Sequence, residues 1–397
     1  LSYGNGLWHS FVLFCFDPSL RQRTTEITAI NIITDTKLPI SLVFSLIFIV
    51  GCASSNKVTR LTPADAIIKY KTSSAQPARY ENLYPGKKDY PLTCQAPCYP
   101  PSPALACATP AESCRFVGRQ LAIEPTTGFT LRWLGHASFY LQSADGSRLL
   151  LDPVSQQFDW PVDWAFTLAG GFFRPEPPWL SANELAEVDA VLYSHIHYDH
   201  FNKADIKKIG NQAQYFVPLG FAQHFANDGY DITEMAWFAN TKLAELTLSF
   251  VPSHHFSSRV LVPYIYEDND ATLWGGWVIE QQGKRVFFAG DTGYSKHFKD
   301  IQQRYGDMDI CLMPIASYYH KENSNWYRYV HTTPEDALVA AQELNCKVMI
   351  PWGYGNNSWQ MGDHSSHSAL LRLLKMHKTM QSQVPLYILN EGEAVRL

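Results

Sequence analysis

Hydrophobic and polar positions along the chain follow two periods. "FTLRWLGHASFYLQS" (129–143) alternates and is rich in aromatic and β-branched residues, so it predicts strand. "GSRLLLDP" adds a turn and a second strand. "VDAVLYSH" is a short apolar run of the kind that forms a buried strand. "AELTLSFVPSHH", "WGGWVIEQ", "KRVFFAGD" and "DICLMPI" read the same way. Two later segments change to helical spacing, "TTPEDALVAAQELN" and "SALLRLLKMHKTM". Thr333 is placed to cap the first, with Pro334 in its opening turn beside Glu335 and Asp336. Strands dominate, helices intervene, and polar clusters fall just after strand ends. Two packed sheets with helices outside, an α/β arrangement, satisfy this pattern.

The pattern begins near residue 120, which divides the chain. Residues 53–119 are polar and Pro-rich, and read as a tether and surface wrap ahead of a domain at 120–397. Residues 1–52 form a third zone. Residue 1 is Leu, the first Met is Met235, and residues 1–36 lack periodicity, so they read as translated upstream sequence or a disordered leader. Then comes "KLPISLVFSLIFIVGCASS", where Lys37 precedes an apolar run from Leu38 to Val50. That run is short for a bilayer-spanning helix and suits a signal-peptide core. Its ending, Ile49-Val50-Gly51-Cys52, resembles the lipobox of bacterial lipoproteins. The resemblance implies lipidation at Cys52 and an envelope location, and Ala53 after it implies the periplasmic face of the outer membrane. A buried or interfacial helix is the alternative.

Composition narrows the classes. The chain of 397 residues is 46% hydrophobic, enough for a sizeable core, and its net charge is -5. No basic block runs through it, so no nucleic-acid partner is expected. Four of its cysteines, Cys94, Cys98, Cys107 and Cys114, lie in one Pro-rich stretch. In an exported protein they can form two disulfides, with three possible connectivities. Their spacing lacks CxxC pairs, which ranks a zinc site lower. Cys311 and Cys346 fall in apolar segments and are expected to be buried and free.

The candidate chemistry concentrates in "SHIHYDH" (194–200). Imidazole and carboxylate together suit zinc and related divalent ions. His195 and His197 follow a strand two residues apart, so in extended backbone both rings point the same way. Asp199 continues that register, and His200 breaks it and can turn toward a neighbouring ion.

The segment resembles the HxHxDH motif of the metallo-β-lactamase superfamily, which implies a four-layer αβ/βα sandwich and a metal-dependent hydrolase. The closer resemblance is to the branch of N-acyl-phosphatidylethanolamine-hydrolysing phospholipase D and ascorbate-6-phosphate lactonase-like proteins. "LRWLGHASFYLQ", "LLLDPV" and "PPWLSANELAEVDAVLYSHIHYDHFN" look like its opening segments. "VPSHHFSSR" resembles its P-x-x-H-[FW] segment and selects His255 over His254 as a ligand. "FFAGDTGY" offers Asp291 as the bridging carboxylate, and "YVHTTPEDAL" aligns His331 with a substrate-contacting histidine. The resemblance thus implies zinc on His195, His197 and His255, and a second ion on Asp199 and His200, with Asp291 between them. Asp199 would also orient the attacking water. His331 would bind phosphate or protonate the leaving group, or serve only as a polar residue at the helix entry.

One departure stands out. Where the branch has a last histidine in a pattern like I-H-W-G, this chain has "VMIPWGYGNNSW", and Pro351 cannot ligate. His364, His367 or water can be invoked as substitutes, although both histidines read better as surface-loop residues. One zinc on three histidines would still activate water. The segment "FDWPVDWAFTLAGGFFRPEPPWL" is dense in aromatics and suits acyl chains, a membrane interface, or simple packing. The expected activity is a phosphodiesterase of phospholipase D type on lipid substrates, held at the membrane by a lipid anchor. A lactonase or another ester or amide hydrolase is the first rival, and a non-catalytic metal-binding lipoprotein the second.

Overall fold

A computed structural model describes residues 54–397, except 65, 67, 72–78, 90–98, 108–113, 160–161, 169–174, 260–268, 320–323 and 359–364. The signal-like run, Cys52, Cys94, Cys98 and His364 lie outside the described residues.

Two mixed sheets face each other. The first runs in the order Lys57–Leu61, Asp231–Met235, Gln214–Pro218, Ala190–Leu192, Arg148–Leu151, Phe139–Gln142, Thr130–Trp133 and Ala394–Arg396. Its first five strands are parallel and the rest antiparallel. The second runs Asn240–Leu243, Leu246–Pro252, Gly275–Gln281, Lys284–Phe288, Ile310–Pro314 and Val348–Trp352. Period-two alternation decides which side chains meet. Leu149, Leu151 and Leu192 enter one core with Phe250, Trp277 and Phe288 of the facing sheet. Their neighbours Leu150 and Val191 point the other way, onto Ile206 and Ile209 of the helix Lys203–Ile209. The helices Pro334–Glu343 and Ser368–Thr379 bury Ala337, Ala341, Leu370 and Leu373 on the second sheet's outer side. The order is helix, sheet, sheet, helix, as expected of the four-layer fold. Thr333 caps its helix as the sequence suggests, its hydroxyl accepting from Asp336 N at 3.1 Å.

Two features depart from the sequence reading. Residues 53–119 are more than a tether and wrap, because Lys57–Leu61 adds a parallel strand at the edge of the first sheet. Asn56 starts that strand, its Oδ1 accepting from the backbone N–H groups of Asp228, Gly229 and Tyr230. Cys311 and Cys346 are not free but bonded to each other, with Cα atoms 5.9 Å apart. Cys311 sits on one parallel strand and Cys346 just ahead of its neighbour, a pairing that apolar sequence alone does not reveal. Cys107 and Cys114 are also bonded, facing each other across a short antiparallel pair.

Pro351 lies inside the outermost strand of the second sheet, opposite Met313. Met349, two residues earlier, turns its N–H and C=O outward to Pro385 and Tyr387. Position 351 shares that parity, so the N–H that proline lacks would have pointed away from the ladder. The substitution therefore removes no hydrogen bond within the sheet.

Candidate metal centre

The strand Ala190–Leu192 is followed by a bend at Ser194 and a segment without regular structure through His197. His195 and His197 project together, with ring centroids 4.4 Å apart. A turn then begins at Tyr198, His200 and Phe201 both donating backbone N–H to His197 O. Asp199 consequently leaves the register that the sequence assigned it and joins His200 on a second side. Arg259, buried, holds this loop by donating to the carbonyls of Ile196 and Phe201 at 2.9 Å each and to Asp159.

Three imidazole nitrogens converge first. His195 Nε2 lies 2.8 Å from His197 Nδ1, which lies 3.2 Å from His255 Nε2. Tetrahedral zinc with nitrogen bonds of about 2.0–2.1 Å would set its ligands about 3.3 Å apart, so the three fit one ion. His255 Nδ1–H donates to Val330 O at 2.9 Å, which leaves the Nε2 lone pair facing the centre. Burial is the main cause that lowers all three pKa values, His197 to about 4 and the others well below the ordinary range. Neutral imidazole is the ligating form. His254, the rejected neighbour, instead sets its Nδ1 on Tyr329 O.

The second group is more acidic. His200 is fully buried, and its Nδ1–H donates to Asp152 at 2.7 Å. Its Nε2 has no hydrogen-bond partner, yet lies 3.3 Å from Asp291 Oδ2 and 3.7 Å from Asp199 Oδ2. A buried ring nitrogen beside two carboxylate oxygens suits a cation, either its own proton or a metal ion that displaces it. Burial opposes protonation of His200, but Asp291 and Asp199 outweigh it and raise its pKa well above the ordinary range. Burial likewise opposes ionisation of Asp291 and Asp199, and the His200 charge holds both below the usual carboxylate range. Asp291 Oδ2 also stands 3.9 Å from His255 Nε2 and 3.2 Å from His331 Nε2, between the two groups.

Of the substitutes for a last histidine, His367 is buried rather than on a surface loop. It packs 5.6 Å from the Tyr354 ring and belongs to none of the potential ligand groups among the described residues.

Several supporting residues escaped the sequence reading. Asp152 accepts from Ser194 N at 2.7 Å as well as from His200. Asn82, from the stretch read as a wrap, clamps His255: its Oδ1 accepts from His255 N at 3.0 Å and its Nδ2 donates to His255 O at 2.8 Å. His136 Nε2 lies 3.0 Å from Asp199 Oδ2. Asp152 and His136 both stand in segments that resemble the branch, but no spacing rule tied them to the histidine motif. A cavity of about 740 Å³ borders His255, with Phe256, Trp274, Tyr329 and Lys88 in its wall.

Residues 147–354 match the family profile of the beta-lactamase superfamily domain. The chain belongs to that superfamily. An uncharacterized protein of Mycobacterium tuberculosis is 33% identical over 250 residues, 61% of this chain and 62% of its own length. The chain thus spans about three fifths of that relative. An N-acyl-phosphatidylethanolamine-hydrolyzing phospholipase D 1 of Caenorhabditis elegans is 29% identical over 244 residues, 57% of this chain and 64% of that one. Among solved structures, a possible metal-dependent hydrolase of Veillonella parvula has a TM-score of 0.50 at 16% identity, covering 68% of this chain and 99% of that one. That likeness shows the fold alone.

Proposed function

We propose that this chain is a metal-dependent hydrolase of phospholipase D type, acting on N-acyl-phosphatidylethanolamine-like lipid phosphodiesters. The observation that carries the hydrolase reading is the position of Asp291 Oδ2, facing His200 on one side and His255 on the other. His195, His197 and His255 would hold one zinc, and Asp199 and His200 would hold a second, with Asp291 shared. Such ions lower the pKa of water toward neutrality and neutralise charge on phosphoryl oxygens.

The chain's own groups do the rest. Asp199 orients the attacking water through its carboxylate. His331 is only partly buried, and its Nε2 reaches the centre beside Asp291. From there it contacts a phosphoryl oxygen or hands a proton to the leaving alkoxide. The aromatic side chains in the wall of the neighbouring cavity suit acyl chains, and Lys69 and Lys88 in the same wall supply cations. On the short helix Val162–Leu168, Trp164 and Leu168 lie one turn apart and are exposed, which suits a lipid interface. The phospholipase D relative supports the same substrate class. Lipidation at Cys52 would hold the enzyme at a membrane, and an outer membrane protein RomA of Klebsiella pneumoniae is among the relatives, 28% identical over 116 residues.

The test is turnover by the purified zinc-loaded protein on vesicles containing N-acyl-phosphatidylethanolamine. Release of N-acylethanolamine and phosphatidate is expected, and Asp199→Ala should abolish it with the fold intact. Lactone opening without phosphodiester cleavage would move the substrate to the rival class. A protein that binds no zinc would refute the hydrolase reading itself.

A further inference from the structure

Pro351 leaves the second group one imidazole short, so any replacement must enter the same corner from elsewhere. The second group's corner is bordered by Trp352, whose ring lies 6.3 Å from the His200 ring. The same Trp352 ring lies 6.4 Å from the ring of His136. His136 belongs to the other sheet's side of the core, on the turn after the strand Thr130–Trp133. Its Nε2 is 3.0 Å from Asp199 Oδ2, and His200 Nε2 is 3.7 Å from that same oxygen. Ligand atoms around a tetrahedral ion are about 3.3 Å apart, and these two spacings bracket that value. His136, Asp199 and His200 are all buried, with ligand atoms within 4.8 Å of one another.

The backbone is shaped to deliver this ring. His136 adopts a positive φ of 48° after Gly135 at 96°. Such a conformation is costly for a residue with a side chain and concentrates at functional sites. The turn is tied down by Trp133 Nε1–H, which donates to His136 O at 2.9 Å, and by Leu134 N, which donates to Ser138 O at 2.8 Å.

We infer that His136 is the missing ligand: it supplies, from the opposite sheet, the imidazole that Pro351 cannot, and completes a second ion site with Asp199 and His200. The inference rests on the metal reading above and goes beyond it in assigning that residue. The competing role for His136 is an N–H donor that merely orients Asp199.

Metal content per folded chain after dialysis separates the two roles, with the cobalt(II) absorption spectrum as a second readout. The unaltered protein should hold two zinc ions. His136→Ala should hold one, the ion retained on the three histidines showing that the fold survives. His136→Asn keeps an N–H donor and tolerates positive φ, and it should also hold one. His136→Ala combined with Pro351→His should regain the second ion and its cobalt(II) bands. Two ions in His136→Ala or in His136→Asn would overturn the assignment. So would one ion in the unaltered protein, an outcome that leaves single-ion hydrolysis standing. No ion at all would overturn the metal reading together with it.

Discussion

Asp152→Asn tests how the centre is held ready for metal. Asp152 is buried, with Oδ1 accepting from Ser194 N at 2.7 Å and Oδ2 accepting from His200 Nδ1 at 2.7 Å and from the Ser194 hydroxyl. The amide is isosteric, and asparagine tolerates the φ of 40° at this position. Its oxygen must stay on Ser194 N–H, since the reverse orientation would set donor against donor. The NH2 group then faces His200 Nδ1 and forces that nitrogen to accept. The imidazole proton moves to Nε2, into the space between Asp291 and Asp199 that an ion would need. Loss of a carboxylate behind a ligating histidine costs about 10- to 100-fold in metal affinity, or about 1.4–2.7 kcal/mol. The effect should fall mainly on the His200 ion, because Asp152 bonds His200 directly but reaches His195 only through the Ser194 hydroxyl, 2.9 Å from His195 Nδ1, while His255 is held by Val330 O and Asn82. Competition with a chelator, followed by metal content, resolves two zinc affinities in the parent and should show chiefly the weaker site shifted. Equal loss at both sites, or no change at either, would refute the tautomer argument.

Other consequences are as direct. His331→Ala should lower kcat by about 10²–10⁴-fold while zinc content stays at the parent value, and an unchanged kcat would remove it from the reaction. Replacing Cys311 and Cys346 by alanine opens a link spanning 35 residues of sequence and should cost about 4 kcal/mol in urea unfolding. Labelling of Cys311 and Cys346 themselves by a thiol reagent in the denatured, unreduced parent protein, located by peptide mapping, would exclude that bond. The metal-free protein should lose stability as pH falls from about 6.5, because unfolded histidine takes up a proton that folded His197, with its pKa of about 4, refuses. That loss should continue below about pH 4, where the Asp199 and Asp291 carboxylates, held below the usual range in the fold, take up protons, and a stability that rises on acidification would contradict it.

Local patterns in the chain revealed local structure. Alternation in 129–143 and the capping sequence at Thr333 correspond to elements found in the fold, because each depends on neighbours within a few residues. The pairing of His195 with His197 was legible for the same reason. Asp199 was misplaced because the turn at Tyr198 is set by Arg259 and by packing, not by the spacing of the motif. His255 and Asp291 emerged only through resemblance, since nothing within their own segments points to an ion. Asn82 and His255 are joined across 173 residues, and His136 and Asp199 across 63. Such contacts exist only after the sheets have packed. The Cys311–Cys346 bond belongs with them, because strand order brings those residues together.

The proline that costs the centre a histidine has a second effect at the rim of the sheet. An outermost strand with free N–H groups is a template on which another chain can add its own strand. Pro385 and Tyr387 occupy the positions at Met349, and Pro351 then presents a nitrogen that cannot donate. Pro351 is itself buried, so the missing N–H also spares the fold a backbone donor that would need a buried acceptor there. Pro351→His should therefore carry a cost unrelated to zinc, a buried backbone N–H that needs an acceptor, which a lower urea midpoint of the metal-free protein would detect.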